Sequence, residues 1–224
     1  MKKLLVISAA LFLIACSGKK TSPEYNSAVH EYSSFVERYL RGSFKAADFA
    51  FYKSVDAFVR LDSFCNASRV YIGRYVIEAK RGKDELLNSA SKYASLDNCT
   101  VEERIISFLS GDNVTGELPQ PYSGIKDLHA SNPSPLESYA SKEDTPPESA
   151  SRIYRMLARH YTGKDTKKAE EMLESARRID SYNGWTLNLF RDNILLADIY
   201  EKAGRDNKHL LERARLLELK LDNN

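Results

Sequence analysis

The apolar residues of this chain recur at intervals of three and four, and that spacing restricts it to packed amphipathic helices. Tyr25, Val29, Tyr32, Phe35/Val36 and Tyr39 form one stripe, closed by the basic turn and glycine of Arg41-Gly42. Phe44, Ala47, Phe51, Val55 and Phe58 form a second. Ala67, Val70/Tyr71 and Arg74 to Ile77 carry a third, which stops at Lys80-Arg81-Gly82. Leu86/Leu87, Ala90 and Tyr93/Ala94 make a fourth, and Val101, Ile105 and Phe108/Leu109 a shorter fifth ending at Gly111. No stretch alternates apolar and polar residues as a half-buried strand does. The expected class is therefore all-α, with helical hairpins over residues 25–110.

Between Gly111 and Ser149 the pattern changes. Six of the seven prolines fall there, at Pro119, Pro121, Pro133, Pro135, Pro146 and Pro147. Proline lacks the amide donor and disfavours helix in the residue before it, so no long helix crosses this stretch. Residues 111–149 are expected to be a proline-rich linker or loop, with single turns at Ile125–His129 and Pro135–Ala140. Helices resume over residues 150–224.

The N-terminus adds a different constraint. Met1-Lys2-Lys3 precedes an apolar run from Leu4 to Ala15, too short to span a hydrocarbon core about 30 Å thick. Positive charge, a short apolar run and a small residue make a secretory signal over residues 1–15. Leu13-Ile14-Ala15-Cys16 resembles the bacterial lipobox. That resemblance implies cleavage after Ala15, a diacylglyceryl group on the Cys16 thiol and acylation of the new amino group. Several acyl chains, each methylene contributing roughly 0.8 kcal/mol, anchor a protein without a spanning helix. Ser17, where enteric-type sorting would need Asp for inner-membrane retention, favours the outer membrane by resemblance to that rule, with inner-membrane anchoring or surface exposure as the alternatives. Residues 16–24 read as a polar, flexible tether.

The chain has 33 basic and 31 acidic residues. Lys2 and Lys3 leave with the signal, so the mature chain is balanced at 31 of each. A nucleic-acid binder normally carries a basic excess on one face, which this composition does not supply. The membrane is reached through lipid and not through charge.

After Ser149, Tyr154, Leu157, Ala158, Tyr161, Ala169, Leu173, Ala176 and Ile179-Asp180 follow a spacing that resembles the tetratricopeptide repeat, with Ser181 in place of the usual closing proline. Leu196, Ala197, Tyr200 and Ala203-Gly204 begin a second copy, but His209 and Arg213 stand where Ala and an aromatic are expected. The last segment then reads as a capping helix with its own stripe of Leu210, Ala214, Leu217 and Leu221. The resemblance implies stacked antiparallel hairpins, a solenoid interrupted by the proline-rich stretch, with a concave surface for a protein or peptide.

Cys65 and Cys99 remain once Cys16 is set aside, and an exported compartment makes a disulfide their default state. They lie 34 residues apart, the tetratricopeptide period, each near the start of an apparent helix. Equivalent helices of successive hairpins are neighbours, which brings such positions together. The alternative is two unpaired buried thiols.

No motif implies a catalytic centre, cofactor or metal. His30, His129, His160 and His209 fall in separate segments without ligand spacing. Gly163-Lys164-Asp165-Thr166 lacks the first glycine and the strand of a phosphate loop and reads as a turn. Lytic transglycosylases need a Glu of raised pKa, often followed by Ser, and Glu137-Ser138, Glu148-Ser149 and Glu174-Ser175 carry that dipeptide without the accompanying motifs. Thirteen tyrosines against one tryptophan suggest peptide-contacting rings, although Tyr32, Tyr39, Tyr71 and Tyr75 also suit helix packing. The expected function is a non-enzymatic, lipid-anchored adaptor facing the periplasm, binding an envelope protein or peptide. The alternatives are a peptidoglycan-acting lipoprotein or a structural lipoprotein with no groove ligand. The sequence leaves the oligomeric state open.

Overall fold

A computed structural model of the chain describes residues 21–78 and 84–221. Cys16, its signal and the Lys80-Arg81-Gly82 stop lie outside the described residues. Among those described there are eleven helices and no strand: α1 Pro23–Leu40, α2 Phe44–Arg60, α3 Phe64–Glu78, α4 Asp84–Leu96, α5 Thr100–Ser110, α6 Tyr122–His129, α7 Ser134–Ala140, α8 Pro147–Tyr161, α9 Thr166–Asn183, α10 Thr186–Lys202 and α11 Lys208–Leu221. Neighbours in sequence pack as neighbours in space, α3 with α4, α4 with α5, and then serially from α7 to α11. The chain is all-α, as its periodicity predicts.

Two compact units result. The first holds Met1–Val36 and Lys45–Tyr122, the second Glu37–Phe44 and Ser123–Asn224. In the first unit the second stripe is the core: Ala47, Ala50, Phe51, Val55 and Phe58 are buried along one face of α2. Phe35 meets Phe51 edge-on at 5.4 Å between ring centroids, the arrangement that ring quadrupoles favour. A second cluster joins Ile72, Leu87, Ala90, Ala94, Ile105, Ile106 and Leu118. Helix α5 ends where Gly111 takes φ +88°, and the amides of Gly111 and Asp112 close back on Phe108 and Ser107. A left-handed residue there costs a glycine little.

In the second unit the small residues let helices approach. Ala158, Ala169 and Ala176 are fully buried beside Leu173 and Leu196. Asp165 caps α9 by accepting from the Lys168 amide at 3.0 Å, so Gly163-Lys164-Asp165-Thr166 is the turn between α8 and α9. Gly42, at φ +88°, sits against Leu221, whose side chain fills the place a Cβ would need.

Residues 111–149 are more structured than a linker. They hold α6 and α7, with Ile125, Leu128, Leu136 and Ala140 buried. The prolines mark where helices start: Pro135 stands in the first turn of α7 and Pro147 opens α8, positions where the missing amide donor has no intrahelical partner to lose. Short helices therefore coexist with six prolines, and α8 begins at Pro147, ahead of residue 150.

Candidate functional site

Cys65, the second residue of α3, and Cys99, just before α5, are joined in a disulfide with their Cα atoms 5.5 Å apart. Asp97 places a carboxylate near both sulfurs, all within 4.8 Å. That trio resembles a metal-binding set, but a metal takes cysteine as thiolate, and here each sulfur is bonded to the other. With the bridge in place only one exposed carboxylate remains. The pair acts as a clasp between the starts of α3 and α5, reinforced by Arg69 of α3 reaching the buried Glu102 of α5.

Beside this clasp lies a run of aromatic rings contributed by α2, α3 and α4. Phe51 meets Tyr71 at 5.0 Å, Tyr71 stacks on Tyr93 at 5.7 Å, and Tyr93 stacks on Phe64 at 6.4 Å. Tyr52 packs edge-on against Phe51 at 5.1 Å yet stays 60% exposed, and Phe49 one turn earlier is 63% exposed under the ammonium of Lys53. Arg74 lies over Phe51 and is held by Asp48 and Glu78. The Tyr71 phenol is pushed up from its ordinary value by burial, with the Tyr93 and Tyr52 phenols adding to the effect and Arg74 opposing it. All three phenols therefore gather at one place. The result is a run of packed rings edged by the open Tyr52, with the open Phe49 ring on the preceding turn of α2 and phenol hydroxyls able to donate or accept, suited to a peptide or protein side.

The four tyrosines picked out from the sequence divide. Tyr71 belongs to this face. Tyr75 packs on the neighbouring core cluster, Tyr32 lies against Phe35 and close over Gly73, and Tyr39 packs on Phe44. Phe49, Tyr52 and Phe64 stand outside the apolar stripes of the sequence, and Tyr93 enters there only as a packing residue of the fourth. A signal for the first two exists: at 100° per residue they lie about 100–160° round α2 from Phe51, on the side that should be polar. The first unit also holds an open, polar recess of about 290 Å³ lined by Thr100, Glu103, Ser107, Asn113 and Thr115, across which Arg104 donates to the Thr100 and Glu117 carbonyls.

The second unit concentrates charge instead. Ser151 and Arg155 of α8, Asp180 of α9, and Asn188 and Asp192 of α10 are all buried. The Ser151 hydroxyl bonds the Asp180 carboxylate at 2.7 Å, Asn188 Nδ2 donates to Asp180 at 3.0 Å, and Arg155 Nη1 reaches Ser151, Asp180 and Asp192. One guanidinium faces two carboxyls. Burial pushes the Asp192 carboxyl up to about 8, with Arg155 opposing and Asp180 adding to the rise. Burial thus favours the protonated form of Asp192, which lessens the excess negative charge.

The three Glu-Ser pairs fall in different surroundings. Glu137 accepts from the Tyr161 phenol at 2.6 Å and faces Lys168, and Glu174 is an exposed partner of Arg177. Glu148, in the first turn of α8, is pushed up to about 7 by burial, with its own backbone amide opposing and Glu37 adding to the rise. Glu37 in turn accepts from the Trp185 indole at 2.8 Å and from Arg41. The four histidines stand on α1, α6, α8 and α11. No protein-family model, curated protein or solved structure matches the chain.

Proposed function

We propose that the chain is a lipid-anchored adaptor of the bacterial cell envelope, held at the outer membrane through Cys16 and binding an envelope protein or peptide through the aromatic face of α2–α4. The observation that carries this reading is the open Tyr52 ring set edge-on against Phe51 in a run of packed aromatics, with the open Phe49 ring on the preceding turn of α2 under Lys53. Exposed rings fixed by their neighbours lose little freedom on binding, which is what makes aromatic anchors strong contributors to an interface. The lipobox supports the anchor, and confinement to a surface raises the effective concentration toward membrane-bound partners. The serial packing and the buried alanines at 158, 169 and 176 support a tetratricopeptide-like arrangement of the hairpins. In this reading the protein is not an enzyme and uses no cofactor.

The test places a photo-crosslinking residue at Tyr52 and, as a control, at Glu85 in living cells. The expected result is one discrete envelope partner captured from position 52 alone. Binding of that purified partner should weaken at least about tenfold when Phe49→Ala and Tyr52→Ala are combined, the cost of losing one or two hot-spot rings. Equal capture from both positions would refute the assignment of the face. Mass spectrometry of the wild type and of Cys16→Ala tests the anchor separately.

A second reading has one observation in its favour: Glu148 is raised to about 7, a value suited to a general acid in sugar cleavage. It predicts turnover of purified peptidoglycan that Glu148→Gln abolishes and Glu137→Gln does not. Absence of turnover by the wild type removes it.

A further inference from the structure

We propose that one particular end of the first unit lies against the lipid surface: the start of α1, the α2–α3 turn and the α4–α5 turn. The proposal rests on the lipid-anchor reading above and adds to it the face that meets the bilayer. Three contacts gather these segments. Tyr25, near the start of α1, packs on Phe58 at 5.5 Å and shares a hydrogen bond with Asn66 of α3. Asn66 donates to Ser63 in the α2–α3 turn at 2.8 Å. The Cys65–Cys99 bridge then brings the α4–α5 turn to the same place.

The chain between the anchor and this end is short. Seven residue steps separate Cys16 from Pro23, so whatever their conformation they reach at most about 25 Å. A bundle held by so short a lead at one end meets the bilayer with that end more readily than with its far end. The surface there suits the task. Leu96 is 57% exposed at the end of α4, and Tyr25 near the start of α1 and Phe64 at the start of α3 are half-buried, apolar bodies of the kind that settle at a lipid–water boundary. Among the described residues of this end charge supplies no net attraction, because Glu24, Asp62 and Asp97 offset Arg60 and Arg69, which are themselves tied to Asp56 and Glu102. The contact should therefore change little between low and high salt.

The orientation also sets the height of the aromatic face. Tyr52 and Phe49 lie eight and eleven residues before Arg60, about 12 and 16 Å along α2 at 1.5 Å per residue. A partner docked there is held close above the headgroups without competing for them.

The experiment uses the full lipidated protein in nanodiscs doped with a gadolinium-chelate headgroup lipid, read by amide NMR. Amides of residues 61–66 and 96–101 should lose most of their signal, while those near Ala47, Val76 and Leu109 keep theirs. A long Gly/Ser insertion after Gly18 should flatten the pattern. Uniform loss in the parent protein, loss at the far end, or concentration-dependent shifts at this patch that ignore the gadolinium lipid would each overturn the orientation. The last of these would assign the patch to a second copy of the chain. Mass spectrometry of the same sample separates the two claims: protein without lipid refutes the anchor, whereas lipidated protein without the selective loss refutes the orientation alone.

Discussion

The two units solve the same problem by opposite means. Each must hold short helices together, and the first does so with a covalent bridge and a run of rings, while the second buries one arginine between two aspartates. A disulfide acts largely by restricting the unfolded chain and is indifferent to mild pH change. A buried ion cluster acts only while its protonation and its partners are complete. The units should therefore fail under different insults: reductant for the first, alkali or loss of one partner for the second. Unit-by-unit hydrogen exchange distinguishes them, since a single global melt would merge the two events.

The largest expected effect lies in the second unit. Asp180 accepts from Ser151, Arg155 and Asn188 at once, so Asp180→Ala takes the shared acceptor from three buried donors and leaves the Arg155 guanidinium with Asp192 as its one carboxyl partner. The loss should be about 3–5 kcal/mol, read as faster exchange across α8–α10 with the first unit unchanged. Equal loosening of both units would end the comparison.

Next comes the bridge. Closing a loop of 34 residues stabilises by about 3–4 kcal/mol on the chain-entropy account. Cys65→Ala combined with Cys99→Ala, or reductant on the parent protein, should lower the protection of α3–α5 by that order and leave α8–α11 as they were. Counting thiols on denatured, unreduced protein should find neither Cys65 nor Cys99 reactive.

These two devices were unequally visible in the sequence. The bridge could be read because a 34-residue spacing between two apparent helix starts is a statement about helix stacking. The stripes through Phe51 and Phe58, and the buried alanines of α8 and α9, could be read because burial follows helical period. The ion cluster could not. Arg155, Asp180 and Asp192 each look like solvent-facing positions, and only their meeting in space makes burial tolerable. The prolines misled for a related reason: the rule that proline ends a helix is also the rule that proline begins one, and Pro135 and Pro147 sit at helix starts. Of the candidate face, Tyr71 was visible as one tyrosine among several, whereas Phe64 and Tyr93 acquire their role only when α3 and α4 are paired.

A pH titration sharpens the contrast further. The folded Asp192 carboxyl is raised to about 8 from an ordinary value of 3.8, chiefly by burial. Between those values the folded state binds the extra proton. Stability from this group is thus complete below about pH 4, falls as pH rises and levels off above about 8, with a slope of at most about 1.4 kcal/mol per pH unit. Glu148, raised to about 7, adds a second contribution of the same sign over a window that closes nearer pH 7. Denaturant midpoints for the second unit should fall from pH 5 to pH 8, and Asp192→Asn should flatten most of that slope. A wild-type midpoint that rises over this interval would remove the protonated Asp192 from the account.

The smallest expected change in stability is also the one that separates structure from function. Phe49 and Tyr52 are mostly exposed, so Phe49→Ala and Tyr52→Ala remove little buried area. Each should alter stability by less than about 0.5 kcal/mol, as surface substitutions do. Phe51→Ala, one position away and 1% exposed, should cost about 3–5 kcal/mol because it empties the junction of α2 with Phe35 and Tyr71. Adjacent rings on one helix thus differ several-fold in stability cost, while the binding face predicts the reverse order for partner capture. If Phe49→Ala and Tyr52→Ala proved as destabilising as Phe51→Ala, the open rings would be part of the core and the first unit would lose its claim to a docking surface.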